Sequence, residues 1–319
     1  MRLDVNPRVG GRLTVWAMAI GFGALNGMAF GAEKADAPGK AGYRPRVAVQ
    51  LYVWVQDRGR QGKDVWQDLD AVFAEVKAAG GRAIEGFLDW FSTDDRATRV
   101  EFLLMKHDLV LAGVYTGGMF HEEGKAAQTI RVITEQAKRA RRCGRPFIDV
   151  NPSTLPGGAK KTDAQLARQV KGLDALGKSL SKLGLQLVIH QHDPEIRHEA
   201  REHRYNVAHV DPKSVGFCLD THWVYRGGQD PLKLLTEAGP KVKALHLRNS
   251  VDKVWSESFG PGDVDYSAIA AYLEKLEFRG WLVLELAHEG KTKITRPLVE
   301  NVRAGLAYLE STFKVKRKM

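Results

Sequence analysis

Four apolar stretches in the second half of the sequence end in side chains that can bind a metal ion or transfer a proton. These side chains are His190 and His192, Asp220 and His222, His246 and Arg248, and Glu285. Side chains alternate faces along a β-strand, so the two members of each pair share a face. Isolated buried charges are costly, and four buried strands that end in ionisable groups therefore predict one shared site.

The residue types indicate which ion such a site would hold. Imidazole and carboxylate donors without a thiolate suit a divalent ion of intermediate hardness, namely Mn²⁺, Co²⁺, Zn²⁺ or Fe²⁺. The predicted metal ligands, one from each strand, are His190, Asp220, His246 and Glu285. His192 and Glu195 are alternatives if His190 points elsewhere.

Other polar residues near the strand ends are predicted to contact a substrate. Glu285 is the predicted general base, and His190 or His192 is the second acid–base group, since imidazole titrates near neutral pH. The predicted substrate contacts are His222, Arg248, Lys253, Glu85, Asn151 and Glu195, with Asp89 and Tyr115 completing the wall. The side chains of Tyr52, Trp54, Trp90 and Phe91 offer an apolar side of the pocket, although core packing is the more usual role for such residues.

Each of these residues also has an ordinary structural interpretation. A single His at a strand end is more often hydrogen-bonded within the protein than bound to a metal. Asp220 is also suited to capping the next helix, and Glu285 to pairing with an Arg. The prediction of a site therefore depends on the four strand ends meeting.

The hydrophobic pattern supplies elements that would bring them together. Strands are predicted at 46–55, 82–88, 109–115, 145–150, 185–190, 215–219, 242–246 and 281–286. Helices are predicted at 64–79, 93–106, 124–142, 162–183, 230–238, 266–276 and 297–311, with a helix or loop at 195–209. This alternation predicts an α/β protein with a single (β/α)₈ TIM barrel over residues 46–312, whose active site collects where the strands end. An open doubly wound sheet fits less well, because no glycine-rich G-x-G-x-x-G turn follows the first strand.

The two termini differ from this pattern. Three arginines, an apolar run and small residues within 1–32 are typical of a cleaved signal peptide, which predicts an exported protein, periplasmic or secreted, with no stable membrane span after cleavage. Residues 33–45 are a predicted linker and 313–319 a basic tail. Cys143 and Cys218 are too few for a disulfide framework, and Cys218 is predicted to be a small buried hydrophobe.

The motifs together resemble the xylose isomerase-like TIM barrel superfamily of sugar phosphate isomerases and epimerases, which includes inosose dehydratases and ketose 3-epimerases. The resemblance covers residues 47–309. It rests on the pattern His190-x-His192-x-x-Glu195, on Leu219-Asp220-Thr221, on Ala244-Leu245-His246-Leu247 followed by Gly260-Pro261-Gly262-Asp263-Val264-Asp265, and on Glu285.

The resemblance implies a divalent metal held by strands five to eight, at His190, Asp220, His246 and Glu285. Three departures from the family pattern stand out. His190 replaces a Glu that epimerases use, Asp-Thr-His-Trp replaces the commoner Asp-Thr-Gly-His at 220–223, and Leu247-Arg248 stands where many relatives have Lys-Asp. The implied function is a metal-dependent isomerase or epimerase, or a related lyase, that removes a proton next to a carbonyl of a sugar or polyol.

Two other classes of function remain open. A non-catalytic exported carbohydrate-binding barrel is favoured by the altered motifs of strands five and six. An apurinic-site endonuclease would suit the formal charge of +10. Such nucleases need about twice as many metal ligands as the sequence offers, so the expected partner is a small carbohydrate and not a nucleic acid.

Overall fold

The structure, a computed structural model, describes residues 42–315. The predicted signal peptide at 1–32, linker residues 33–41 and tail residues 316–319 lie outside the described residues. No helix within 42–315 is long and apolar enough to cross a lipid bilayer.

Eight parallel strands close into a barrel around the middle of the chain. They are β1 (Arg46–Gln50), β2 (Ala83–Phe87), β3 (Val110–Gly118), β4 (Phe147–Pro152), β5 (Leu187–Ile189), β6 (Val215–Asp220), β7 (Val242–Leu247) and β10 (Trp281–Leu284). The order around the barrel is β1-β10-β7-β6-β5-β4-β3-β2. A two-stranded antiparallel hairpin, β8 (Ser250–Val251) and β9 (Val254–Trp255), follows β7. The predicted single (β/α)₈ barrel is confirmed.

Helices surround the strands. They are α1 (Tyr52–Arg60), α2 (Leu69–Ala78), α3 (Asp94–Lys106), α4 (Lys125–Ala140), α5 (Asp163–Lys182), α6 (Asp193–His209), α7 (Thr221–Arg226), α8 (Pro231–Ala238), α9 (Tyr266–Lys275) and α10 (Leu298–Thr312). Short 3₁₀ helices occur at Leu88–Phe91, Arg141–Cys143, Pro156–Gly158 and Gly239–Lys241. Residues 195–209, predicted as a helix or loop, belong to α6, whose backbone departs from helical geometry at residues 197–200.

The prediction was wrong at the first strand, which was expected over 46–55. The strand ends at Gln50, and the chain turns at once into α1. The β-branched and aromatic residues that suggested a strand here are Val53 and Trp54, both buried in the core. The Trp54 indole donates a hydrogen bond to Glu75 Oε2 of α2 (2.8 Å), so packing of α1 against α2 and the core outweighs the local strand preference.

Two apolar layers make up the core. The larger lies between strands and helices, and it includes Trp54, Trp90 and Phe91, so these three pack in the core rather than lining a pocket. Tyr52, in contrast, is 41% exposed. The second layer fills the barrel interior with mostly small side chains, Ala48, Ala83, Ala112, Phe147, Val188, Cys218, Ala244 and Val283. These residues form the floor beneath the polar strand ends, and we call them the floor layer.

The loop after β7 is fixed by a glycine. A Cβ at Gly262 would lie 2.1 Å from the Ser250 carbonyl oxygen, so only glycine permits this close approach. The Asn249 amide donates to the carbonyls of Gly260 and Val264, and its oxygen accepts the Val264 amide. The glycine-containing motif at 260–265 therefore holds the segment that carries Arg248 and Asn249.

Candidate functional site

Three of the four predicted metal ligands meet at the carboxyl ends of their strands. Asp220 ends β6, His246 lies in β7, and Glu285 directly follows β10. The donor atoms of these three side chains lie within 4.8 Å of one another. All three residues are buried, with exposed fractions of 0% for Asp220, 1% for His246 and 7% for Glu285.

His246 stands between two carboxylates. Its Nε2 lies 2.7 Å from Glu85 Oε2 in a hydrogen bond. Its Nδ1 lies 2.8 Å from Glu285 Oε2, but without the geometry of a hydrogen bond. Burial disfavours the imidazolium, yet interactions with Cys218 and with the carboxylates of Glu85 and Glu285 outweigh it and raise the pKa of His246 well above its usual value. If Nδ1 held a metal, the bond from Nε2 to Glu85 would fix the ring as a carboxylate–histidine pair does in metal sites.

Arg248 places a fixed positive charge beside the same carboxylates. Its Nη2 donates to Asp220 Oδ2 (2.7 Å), and its Nη1 lies 3.0 Å from Glu285 Oε1. Its guanidinium also lies 5.2 Å from the ring centroid of Trp223 and 4.8 Å from that of Trp255. Burial opposes ionisation of Glu285, but Arg248 and His246 prevail and lower its pKa well below the usual range. Glu285 is therefore an anion in this arrangement.

Asp220 has a structural task as well as a place in the site. Its Oδ1 accepts the backbone N–H groups of His222 and Trp223, which caps α7. Its Oδ2 faces Arg248 and the donor atoms of His246 and Glu285. Burial raises the pKa of Asp220 to about 7, although Arg248 works in the opposite direction. The capping role and the predicted ligand role are compatible, because they use different oxygens.

The fourth predicted ligand, His190, lies in a second group of donor atoms with Asp149, Cys218 and His246, all within 4.8 Å of one another. Its Nδ1 is 3.4 Å from Asp149 Oδ2. Burial lowers the pKa of His190 to about 3, so the ring is neutral. His190 therefore does not join Asp220 and Glu285 in one group in this structure.

Asp149 and Cys218 were not predicted as site residues. Each stands two positions before a residue that was, Asn151 and Asp220, and so shares a strand face with it. That spacing was the available signal. It was missed because both lie inside continuous apolar runs, where Cys218 was interpreted as a hydrophobic residue.

His192, Asn151 and Glu195 form one hydrogen-bonded group. The Asn151 amide nitrogen donates to Glu195 Oε1 (3.1 Å) and to the His190 carbonyl (3.2 Å), so its Oδ1 must accept from His192 Nδ1 (3.1 Å). The proton of neutral His192 is thereby placed on Nδ1. Burial lowers the pKa of His192 to about 3, and its Nε2 has no hydrogen-bond partner among residues 42–315. Asn151 and Glu195, predicted as substrate contacts, are used here to orient His192.

His222, also predicted to contact the substrate, has both ring nitrogens occupied. The Trp255 indole donates to its Nδ1 (3.2 Å), so its Nε2 carries the proton and donates to Ser250 Oγ (2.8 Å). Ser250 in turn donates to Asp263 Oδ2 (2.7 Å). This chain ties α7 to the loop after β7, and a substrate contact by His222 stays a prediction.

The remaining predicted contacts lie in different surroundings. Glu85 is fully buried, and burial raises its pKa to about 7. Asp89 is largely exposed and pairs with Arg96, and Lys253 lies on the exposed turn of the β8–β9 hairpin. Tyr115 is half-buried, and its ring lies 5.5 Å from that of His190.

Half-buried aromatic rings lie beside the buried polar groups. Tyr115 and Trp223 lie 6.4 Å and 5.3 Å from the His192 ring between ring centroids. All three residues are of intermediate exposure, whereas the donor residues are buried. This arrangement gives the candidate site an aromatic side with a partly solvated edge.

Unpaired buried atoms show that the donor set suits a cation. Among the described residues, the buried atoms without a hydrogen-bond partner include Glu85 Oε1, Asp149 Oδ1 and Oδ2, His190 Nδ1, His246 Nδ1 and Glu285 Oε2. Unpaired buried polar atoms are unusual, and six in one region indicate that another group completes the site. A divalent ion accepts electron pairs from imidazole nitrogen and carboxylate oxygen, so the residues present fit such an ion.

Comparison with known proteins places the chain in a family. A family model described as "Xylose isomerase-like TIM barrel" matches residues 73–312, more than half of the chain. The chain belongs to the xylose isomerase-like TIM barrel family. The resemblance predicted from the strand-end motifs is therefore confirmed.

Individual members of the family are distant from this chain. An inosose dehydratase of Geobacillus kaustophilus is 24% identical over 271 residues, which cover 75% of this chain and 86% of that protein. The solved structure of a sugar phosphate isomerase/epimerase from Parabacteroides distasonis has a TM-score of 0.66 at 18% identity, covering 88% of this chain and 99% of that one. The solved structure of a 3-keto-D-glucoside 4-epimerase from E. coli has a TM-score of 0.64 at 15% identity, covering 84% of this chain and 100% of that one. At these identities the structural likeness establishes the fold.

Proposed function

We propose that the protein is a divalent-metal-dependent enzyme that acts on a sugar or polyol with a carbonyl next to a hydroxyl-bearing carbon. The reaction class is proton removal next to the carbonyl, leading to isomerisation, epimerisation or loss of water. The observation that carries the proposal is that three buried side chains from separate strands, Asp220, His246 and Glu285, place their donor atoms within 4.8 Å of one another. Without an ion, His246 is protonated and pairs with Glu285 Oε2 (2.8 Å), and a divalent ion would take the place of that proton.

Asp220, His246 and Glu285 would hold the ion, and His190 stays the predicted fourth ligand. Three protein ligands leave open positions for substrate oxygens, as in catalytic metal sites. A bound ion would act as a Lewis acid on the carbonyl and the neighbouring hydroxyl oxygen. Glu85 would hold the His246 ring through Nε2, and Arg248 would offset negative charge that develops on the substrate oxygen.

Two groups of the chain are suited to move the proton. Glu285 is ionised, and with Oε2 on the ion its Oε1, beside Arg248 (3.0 Å), would be the oxygen that accepts the proton from carbon. His192 presents an unprotonated Nε2 and is held by Asn151 and Glu195, so it is the better placed of the two predicted histidines to act as the second acid–base group. Return of the proton to carbon gives an isomer or epimer, whereas donation to a departing hydroxyl gives dehydration.

The names of the relatives narrow the substrate class. One is an inosose dehydratase and another a 3-keto-D-glucoside 4-epimerase. Both names denote a cyclic polyhydroxylated compound that carries a ketone. We propose a substrate of this class, because the half-buried rings of Tyr115 and Trp223 beside the polar donors suit a ring with one apolar and one polar face.

Proton exchange tests this proposal directly. Metal-loaded protein in D₂O is expected to exchange the proton next to the ketone of an inosose or a 3-keto-glucoside, as followed by NMR. Glu285→Gln and His246→Ala should abolish exchange. The control is Glu101→Gln, which removes a carboxylate of α3 that pairs with Arg142, and it should leave exchange intact. Exchange that survives chelation and both site variants would refute the proposal.

Arg248 favours a second candidate, a carbohydrate-binding barrel without catalysis. Its guanidinium already lies beside Asp220 and Glu285 and balances their charge without an ion. This candidate predicts sugar binding that is unchanged by chelation, with no proton exchange. Calorimetry with and without a chelator, run on the same ligands, separates the two functions.

Export remains a proposal that rests on the pattern at 1–32. Mass spectrometry of the protein recovered from cell fractions tests it. A periplasmic or secreted chain shortened by about thirty residues is expected, and a full-length chain retained in the cytoplasm would contradict it.

A further inference from the structure

A second set of metal-binding atoms lies beside the one described above and, unlike that one, includes a thiol. Asp149 is in β4, His190 follows β5, Cys218 is in β6 and His246 is in β7. Their donor atoms all lie within 4.8 Å of one another. Cys218 belongs to the floor layer, two residues below Asp220 on the same strand face. The set therefore combines donors from four neighbouring strands, and its thiol belongs to the floor layer.

The distances suit a tetrahedral ion. Asp149 Oδ2 lies 3.4 Å from His190 Nδ1 and 3.6 Å from His246 Nε2. Neighbouring ligands of a tetrahedral zinc ion, at about 2.0–2.3 Å from the metal, are about 3.3–3.7 Å apart. Two of the six edges therefore already have this length. The other four need to shorten by at most about 1.1–1.5 Å, given the 4.8 Å limit on all of them.

Independent evidence comes from unpaired atoms. Asp149 is 0% exposed, and neither of its carboxylate oxygens has a hydrogen-bond partner among the described residues. His190 is 1% exposed, and its Nδ1 is likewise unpaired within 42–315. A buried carboxylate with two unpaired oxygens is costly unless something else binds it. The donor atoms of both side chains lie within 4.8 Å of the Cys218 thiol.

We propose that Asp149, His190, Cys218 and His246 form a second cation position, selective for a thiophilic ion such as Zn²⁺ or Co²⁺. The two positions use opposite sides of the His246 ring, because Nδ1 faces Glu285 and Nε2 lies 3.6 Å from Asp149 Oδ2. An ion at the second position would take the place of the hydrogen bond from Nε2 to Glu85, and with both positions filled His246 would bridge them as an imidazolate. A thiolate favours Zn²⁺ and Co²⁺ over Mn²⁺ and Mg²⁺, which prefer oxygen and nitrogen ligands. The inference goes beyond the proposed reaction and does not depend on it.

The burial of this position indicates what an ion there would do. Its four ligands are between 0% and 1% exposed. An ion held by them closes its own coordination shell within the barrel interior, as structural zinc sites do. It would link β4, β5, β6 and β7 and stabilise the folded protein, with no open position for a substrate.

Cobalt absorption tests the thiolate. Full-length protein, purified with a phosphine reductant and stripped of metal, is titrated with Co²⁺. We expect an intense near-ultraviolet thiolate-to-cobalt band in wild type and in Cys143→Ser, the matched control at the other buried cysteine. Cys218→Ser should lose the band, and Cys218→Ser and Asp149→Asn should each weaken Zn²⁺ binding by at least about a hundredfold. Mn²⁺ affinity, measured by electron paramagnetic resonance, should be unchanged in Cys218→Ser.

The other outcomes overturn the inference in distinguishable ways. Co²⁺ binding with visible bands but no thiolate band would overturn the second position and leave the proposed enzyme untouched. No Co²⁺ or Mn²⁺ binding at all would overturn both. Equal loss of Mn²⁺ and Co²⁺ binding in a folded Cys218→Ser variant, as checked by circular dichroism, would show that the two positions are not separate.

Discussion

Replacing Arg248 by Met tests whether the carboxylates of the site need a cation. The substitution keeps a long apolar stem between Trp223 and Trp255 but removes the charge that faces Asp220 and Glu285. Both carboxylates are buried, so metal-free protein must then balance Asp220 and Glu285 with His246 alone or protonate them. A divalent ion restores the balance, and we therefore expect the variant to depend on metal for stability far more than wild type.

The size of the effect follows from burial. Arg248 is 3% exposed, and removing one partner of a buried ion pair costs about 3–5 kcal/mol. For a domain of this size, 1 kcal/mol corresponds to about 2–4 °C in Tm. Metal-free Arg248→Met should thus unfold roughly 10 °C below wild type. Saturating Mn²⁺ should recover most of the loss, as measured by urea and thermal unfolding at pH 7.5.

A matched control is available in α1. Arg58 is 5% exposed and pairs with Asp57, Asp68 and Glu75, none of which is a predicted ligand or substrate contact. Arg58→Met should lose a similar stability that Mn²⁺ does not restore. Equal stability of metal-free wild type and Arg248→Met would refute the reasoning, as would equal rescue of both variants by metal.

Three further predictions follow from the same contacts. Burial raises the pKa of Asp149 from 3.8 to about 7 in metal-free protein. The folded protein is therefore most stable with Asp149 protonated: this contribution to the free energy of unfolding is fully present below about pH 4 and is lost as the pH rises through 7. The free energy of unfolding of chelated wild type, measured in urea, should therefore fall across that window by on the order of 4 kcal/mol relative to that of Asp149→Asn. Parallel pH profiles of the two proteins would contradict this. His222→Phe leaves the Trp255 indole N–H unpaired and should cost about 2–4 kcal/mol in thermal unfolding, whereas an unchanged Tm would mean that the chain through Ser250 and Asp263 is unimportant. Trp223→Ala removes the half-buried ring beside His192 and should raise KM about tenfold with little change in kcat; a loss confined to kcat would argue against a stacking role.

The barrel and the strand ends were predictable from sequence for one physical reason. Buried parallel strands are continuous apolar runs, and polar residues at their carboxyl ends face a common mouth in this fold. Asp220, His246 and Glu285 were placed correctly at the ends of their strands on that basis. The interruption of β1 at Gln50 was not predictable in the same way, because Val53 and Trp54 have strand preferences that only the packing of α1 overrides.

The pairing of side chains within the site depended on three-dimensional distances that spacing does not encode. Sequence spacing placed His190 with the other ligands, but the closure of the barrel puts its Nδ1 beside Asp149. The contacts of the His222 ring with Trp255 and Ser250 likewise follow from the turn of α7, which spacing does not encode. Cys218 precedes Asp220 by two residues, the same spacing as in the pairs His190 with His192 and Asp220 with His222. The fold was needed to show that its thiol lies among other metal-binding atoms.

Anomalous diffraction from crystals soaked in Mn²⁺ tests the central claim most directly, namely that separate strand ends hold one cation. The structure predicts a strong peak about 2.0–2.3 Å from His246 Nδ1 and from carboxylate oxygens of Asp220 and Glu285. A barrel interior without any peak, in crystals that bind Mn²⁺ elsewhere on their surface, would contradict it.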